Sequence, residues 1–392
     1  MKNSKLFAII FGVISFSFSF VSCSDSDGNG NGDDDDDKKD VAALTTDEVL
    51  YSKWVADDLY LSALRLVANW GGATTAEQNA YLDEEDFAPD EDYGEVFINA
   101  GQTGNTRYKT VVNATKAIIA GCRDIIDEVA HSKIGAPYDG SDVNYIESPH
   151  SYNSIQDFYD NISGCLYALN GASGVVKPTE ALDNSLMKYA LAKYPTEAGE
   201  VKVAFSNALN KIKAMKAPFV KYYSDASAGA AIAALETLDA KLAKLSDKFS
   251  DDEDDAMLAL INKTYVENVV RPTYEKLMDK TSKLQSVLSN MTTQQQLDEA
   301  CSLWKEARQY WEWSEAFLFG PAHNFGIDPH IDTWPFDVTA FNKYMKNNSP
   351  LTDKANESIV KDAIRNGQNL TGFHALEYLV FRNGKNRSIS SK

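Results

Sequence analysis

The feature that most constrains this chain is its run of long stretches in which apolar residues return every three or four positions. In "ALETLDAKLAKL", Leu235, Leu238, Leu242 and Leu245 share one face of a helix. "LYSKWVADDLYLSALRLVANW" repeats the pattern through Val55, Leu59 and Leu66 until Gly71-Gly72 ends it. The same periodicity predicts helices near 107–130, 198–222, 256–289 and 293–319, and alternating strand patterns are scarce. An all-α fold is therefore expected, built as two helical bundles. The acidic stretch "SDKFSDDEDDA", 246–256, is the expected division between a bundle at 44–250 and a bundle at 251–392.

Neither bundle includes the amino terminus. Lys2 and Lys5 precede "LFAIIFGVISFSFSFV", an apolar run of 16 residues, short of the roughly 20 that span a bilayer. Residues 1–22 are expected to be a signal peptide. The run ends Val21-Ser22-Cys23, which resembles a bacterial lipobox and implies a lipid anchor to the membrane through Cys23. "SDSDGNGNGDDDDDKKD" then has no apolar residue and five consecutive aspartates. It has nothing to bury, so residues 23–43 are expected to form a disordered acidic tether. It also resembles the acidic export signals of surface lipoproteins in Bacteroidetes-type bacteria, which implies the exposed face of a bacterial outer membrane.

With 38 basic and 57 acidic side chains the formal charge is −19, which repels nucleic acid and excludes it as a partner. Cys122, Cys165 and Cys301 have no CxxC spacing, so a zinc-finger site is excluded and buried free thiols are expected. No heptad seam is visible, so a monomer is expected.

Three segments combine residue types that do chemistry. "WKEARQYWEWSEAFLFGP" starts as a helix with Trp304, Ala307, Trp311 and Ser314 on one face and stops at Gly320-Pro321. The following "HNFGIDPHIDTWPFD" is too broken by Gly and Pro for a helix and gathers Asp328, Asp332, Asp337 and Trp334. It is either a site loop or a connection whose aspartates cap helices. In "TGFHALEYLVF", His374 and Glu377 are three apart and share a helix face, beside an apolar stripe of Phe373, Leu376 and Val380. Gly372 lets another element approach beside the imidazole. The pair fits a partial metal site or an acid/base couple, while the metalloprotease HExxH is absent. Of the other histidines, His131 is expected to be a favourable charge at a helix end, and His150 follows Pro149 in a loop. His323 and His330 are seven apart and make no metal geometry.

Three of these segments resemble the imelysin family: "GFHALEYLVF" its GxHxxE motif, "ARQYWEWSEAFLFGP" its SEAFxFGP helix and "IDPHIDTWPFD" its DPxIDxWPxD loop. "NKTYVENVVRPTYEKL" (262–277) resembles the family's opening helix, and "YIESPHSYNSIQDFYDNI" (145–162) a segment of its later half. The order differs, because the family's GFHALEYLLF segment sits mid-chain and runs into a helix like "LYSKWVADDLYL", whereas here one ends the chain and the other begins it. The resemblance therefore implies a circular permutation, which requires residues near 45 and 390 to be neighbours.

It also implies a cleft between the two bundles, with His374 and Glu377 in its wall and Glu315, Asp332, Trp334 and Asp337 near it, joined by Glu147 and Ser151. A metal held by His374, Glu377 and one of those acids would be zinc or iron, by its mixed nitrogen and oxygen ligands. Three functions follow as alternatives. One is a surface lipoprotein that binds a metal, an iron-related small molecule or a peptide in the cleft. The second is a metallopeptidase in which Glu377 activates water. The third is a partner-binding protein whose His374–Glu377 pair is structural.

Overall fold

Thr45 and Glu48 set the start of the first long helix. The Thr45 hydroxyl accepts from the Glu48 backbone at 3.1 Å and the Glu48 carboxylate accepts from the Thr45 backbone at 2.8 Å, a reciprocal cap. The computed structural model describes residues 42–89, 91–174, 178–250, 253–352 and 369–389. The expected signal peptide and Cys23 lie outside the described residues, as do the tether up to residue 41 and residues 251–252 of the acidic stretch.

The helices of eight residues or more among the described residues are α1 (Thr46–Asn69), α2 (Ala76–Glu84), α3 (Val111–Glu128), α4 (Ser154–Asn170), α5 (Leu186–Lys193), α6 (Pro195–Lys213), α7 (Ala226–Ser246), α8 (Asp255–Tyr265), α9 (Arg271–Ser289), α10 (Gln294–Ser314), α11 (Val338–Asn348) and α12 (Gly372–Val380). The fold is all-α, as the periodicity predicts. The described strands are a two-residue hairpin, β1 (Phe381–Arg382) and β2 (Lys385–Asn386), paired antiparallel. Asn383 and Gly384 turn it with φ of 51° and 72°, the left-handed pair that a two-residue hairpin turn demands.

α1, α9, α10 and α12 pack on one another, and so do α3, α4, α6 and α7. The two groups meet where α4 lies on α10 and where α3 meets the 3₁₀ turn Glu315–Phe317 that ends α10. α1, which precedes the 246–256 stretch, thus packs on α9 and α12, which follow it. One hydrophobic core runs through both groups, from Val55 and Leu376 to Ile118 and Leu238. All three cysteines of the helical body are buried and free.

Two local features differ from expectation. α3 does not stop before His131. It widens into a π-helical turn, Val129–Gly135, and continues to Asp139, so His131 is not at a helix end. It is exposed and pairs with Asp127 at 2.9 Å and Glu236 at 3.4 Å. The 321–335 stretch also contains two single helical turns, Pro321–Asn324 and Asp328–Ile331, each with a proline in its first turn. Proline is tolerated there because the first N–H groups of a helix have no partner inside it.

The first and last described segments are neighbours. Leu44 forms a parallel bridge with Ile389, and its N–H donates to Ser388 O at 2.7 Å. Arg387, 5% exposed, donates to both Glu48 oxygens and to the carbonyls of Ala42 and Leu379. The adjacency that a circular permutation requires is therefore present. Arg387→Ala would leave Glu48 and two carbonyls without their partner in a mostly dry place. We expect about 3 kcal/mol of lost stability, read by chemical denaturation; a loss below about 1 kcal/mol would show that this clasp does not hold the seam.

Candidate functional site

α12 enters the core because eight of its nine residues are buried. Its start is possible only with glycine: Gly372 has φ +76°, and a Cβ there would stand 2.4 Å from Ile331 O. This close approach brings the Asp328–Ile331 turn beside the imidazole. Asp332, just past the turn, places Oδ1 3.1 Å from His374 Nε2. The approach is off the line of a hydrogen bond, and His374 Nε2 has no hydrogen-bond partner.

Glu377 has a different role. Its Oε1 accepts from the N–H of His150 at 2.8 Å, the N–H of Ser151 at 2.7 Å and the Ser151 hydroxyl at 2.8 Å. Its Oε2 is 3.7 Å from His374 Nδ1. Burial works to raise its pKa, but His374 and the loop donors outweigh it, so Glu377 is lowered and stays ionised. The 145–152 loop that supplies these donors carries two non-glycine residues at positive φ, Ser148 (48°) and Tyr152 (59°), and such strain is held only where surrounding contacts fix it. Gly384 of the hairpin donates to His150 O at 2.9 Å and packs against the Tyr152 ring.

The centre of the site is Arg308, on α10 and fully buried. It donates to Glu147 Oε1 at 2.6 Å and contacts Glu312 Oε1 at 2.5 Å, and it is bonded to Asp332. Asp157 of α4 lies 3.9 Å away. A second buried cation comes from the π turn: Lys133 Nζ is 2.7 Å from Glu315 Oε2, 3.0 Å from Glu147 Oε1 and 3.7 Å from Glu312 Oε2. Asn161 binds Glu312 and Glu315 at 2.6 and 3.0 Å. Glycines bring the helices close enough for this. A Cβ at Gly164 of α4 would be 2.3 Å from Trp313 O, and one at Gly121 of α3 would be 2.3 Å from Ala316 O.

Among the described residues six buried or nearly buried carboxylates, Glu147, Asp157, Glu312, Glu315, Asp332 and Glu377, face three basic groups, Arg308, Lys133 and His374. Electrostatics distributes protons accordingly. Burial pushes Glu312 and Glu315 well above the ordinary range and Asp157 to about 7, against the pull of Arg308 or Lys133. Burial also works to raise Asp332, but Arg308 and His374 hold it well below that range. Burial would lower His374, yet Asp332 and Glu377 bring it to about 9.

The nitrogen of His374 and carboxylate oxygens of Glu147 and Asp332 converge within 4.8 Å of one another, and so do oxygens of Glu147, Glu312, Glu315 and Asp332. Glu147 Oε2 also has no hydrogen-bond partner. The donor set of one imidazole and two carboxylates, with two unpartnered atoms, fits a zinc or iron ion. Glu377 is not part of either set.

The structure thus brings His374, Glu377, Glu315, Asp332, Glu147 and Ser151 into one network. Trp334 borders it, edge-on to His374 at 5.6 Å and against Tyr145 at 4.2 Å. Asp337 is exposed and caps α11 by accepting from Ala340 N at 2.8 Å. Arg308, Glu312, Asp157 and Lys133 were not singled out from the sequence. The first two had a signal, since charges at 308, 312 and 315 recur on the apolar face of α10; Lys133 had none, because the π turn shifts its phase.

A folded-state pKa of about 9 for His374, against an ordinary 6.5, means that its charge stabilises the metal-free protein fully below pH 6.5. That contribution is lost as pH rises through about 9. We expect the stability gap between the parent and His374→Asn, measured by urea unfolding with chelator present, to shrink by on the order of 3 kcal/mol from pH 6.5 to 9.5. A gap independent of pH would contradict the charged imidazole.

The imelysin family profile matches residues 27–245 and 270–391. A solved structure described as an imelysin peptidase from Bacteroides ovatus superposes with a TM-score of 0.75 at 26% identity, covering 88% of this chain and 96% of that one. Over 120 residues the chain is 32% identical to iron-regulated protein A of Synechococcus elongatus, a match that spans 30% of this chain and 30% of that protein's length. The chain therefore belongs to the imelysin family.

Proposed function

We propose that this protein is a lipid-anchored envelope protein of the imelysin family that holds one divalent cation, zinc or iron, on His374, Asp332 and Glu147, and that it binds rather than cuts. The observation that carries the reading is the surplus of buried carboxylates around an imidazole nitrogen and a carboxylate oxygen that have no hydrogen-bond partner. Buried acids without cations must hold protons, and a divalent ion replaces those protons with a stronger interaction. The name of the Synechococcus relative, iron-regulated protein A, supports an iron-related role.

Glu377 speaks against peptidase chemistry. A base that activates metal-bound water needs a carboxylate oxygen free to take a proton. Glu377 Oε1 already accepts three hydrogen bonds, and its Oε2 lies beside His374 Nδ1 at 3.7 Å, across the ring from the nitrogen next to Asp332, so neither oxygen belongs to the group that would hold the ion. The GxHxxE pair is thus divided, with Glu377 holding the loop and His374 facing the ion.

Titration calorimetry with zinc(II) should give one site in the parent and at least about a 100-fold weaker one in His374→Ala, while the zinc-loaded parent leaves a peptide substrate uncut. Absence of binding in both proteins, with the variant only melting lower, would make His374 a structural residue. Peptide cleavage that Glu377→Gln abolishes would restore the metallopeptidase reading. The anchor is tested separately: Cys23→Ser should move the protein from the membrane to the soluble fraction, and unchanged fractionation would sink the lipoprotein assignment.

A further inference from the structure

The Lys133 ammonium stands beside the proposed ion site and shares Glu147 with it. Its three carboxylate neighbours, Glu147, Glu312 and Glu315, belong with Asp332 to the four-carboxylate group whose oxygens converge within 4.8 Å. Two of those four, Glu147 and Asp332, are also ligands of the His374 site. Glu147 Oε1 is shared between Lys133 at 3.0 Å and Arg308 at 2.6 Å. A metal drawing on Glu147 through its unpartnered Oε2 would therefore meet an internal cation on the other oxygen of the same carboxylate.

The two cations differ in their freedom to leave. Arg308 is fully buried on a regular helix, under the Phe373 ring and bonded on several sides. Lys133 lies in the π turn Val129–Gly135, a widened coil whose hydrogen bonds span one residue more than those of the α-helix, of a kind found often at functional sites. Its neighbour Ser132 lines an open depression with Asp124, Asp127, Glu128 and Tyr145, and with Asp239, which Arg123 already pairs. A flexible four-carbon stem can carry the ammonium toward this second set of carboxylates, and the charge of a bound ion would replace the one the ammonium takes away.

We propose that Lys133 is a tethered competitor for the metal: in the metal-free protein it neutralises the shared Glu147 carboxylate, and on metal loading it withdraws toward the acidic depression beside the π turn. The proposal rests on the metal-binding reading above. It gives the lysine a regulatory role, because the population of the lysine-in state directly scales down the apparent metal affinity.

The test is zinc(II) titration calorimetry on the full chain, comparing the parent with Lys133→Met. Removal of the competitor should tighten binding about tenfold or more, although the metal-free variant melts lower than the parent. A lysine with a purely structural role would not tighten binding when removed. If Lys133→Met does not fold, the same comparison is made between Glu315→Gln and Lys133→Met/Glu315→Gln, in which the buried pair is removed together. Binding in the lysine-free protein that equals or falls below that of its lysine-containing reference would overturn the proposal and leave the metal site standing. If the parent itself binds no zinc and His374→Ala changes nothing, the metal reading fails and the competitor role fails with it.

Discussion

The buried guanidinium of Arg308 is the constraint on which the rest of the structure depends. Taking a full positive charge out of water costs several kcal/mol even after relaxation, and only close, well-placed carboxylates repay it. Here they come from four places: Glu312 on the same helix, Asp332 after the Asp328–Ile331 turn, Glu147 in the 145–152 loop and Asp157 on α4. Those segments are distant in sequence and belong to both helix groups. The requirement that one charge be matched thus fixes how the groups meet. It does not, however, account for six carboxylates. The excess over what Arg308 needs is the part of the design that packing alone does not explain.

The motif that resembles a metallopeptidase signature illustrates how the same residues serve different ends in different surroundings. His and Glu three apart on a helix do share a face. Whether they act together depends on what meets that face. The strained 145–152 loop meets Glu377 with three donors, and the loop is in turn held by Gly384 of the hairpin. Asp332 meets His374 instead. One residue of the pair becomes a fastening and the other remains available.

Much of this was legible in the sequence. The leucine periodicity of α7, the buried face of Trp304, Ala307, Trp311 and Ser314, and the close approach at Gly372 are local consequences of spacing and of glycine's missing side chain. The gathering of Glu147, Glu315, Asp332 and His374 came from motif resemblance, which carries long-range information that periodicity lacks. What stayed hidden had a physical cause. A π turn breaks the 3.6-residue phase, so Lys133 reads as a surface lysine until the chain is folded. Asp157 sits in the first turn of α4, where an acid is favourable at any helix start and marks nothing further. The Asn383-Gly384 dipeptide was a readable hairpin signal, yet two-residue strands are too short for any alternation to show.

The glycines at 121 and 164 give the site walls of unequal stiffness. Where a helix touches the Trp313–Ala316 main chain with no side chain between, there is no rotamer to change and no methylene to yield. The carboxylates of Glu312 and Glu315 are thus carried by a rigid frame. The opposite wall consists of a π turn and a loop held by hydrogen bonds. Under the proposed metal-binding function, an ion of the wrong radius would have to be accommodated on that side, so discrimination by size would become a question of how far a loop can be bent rather than how far a pocket can be stretched.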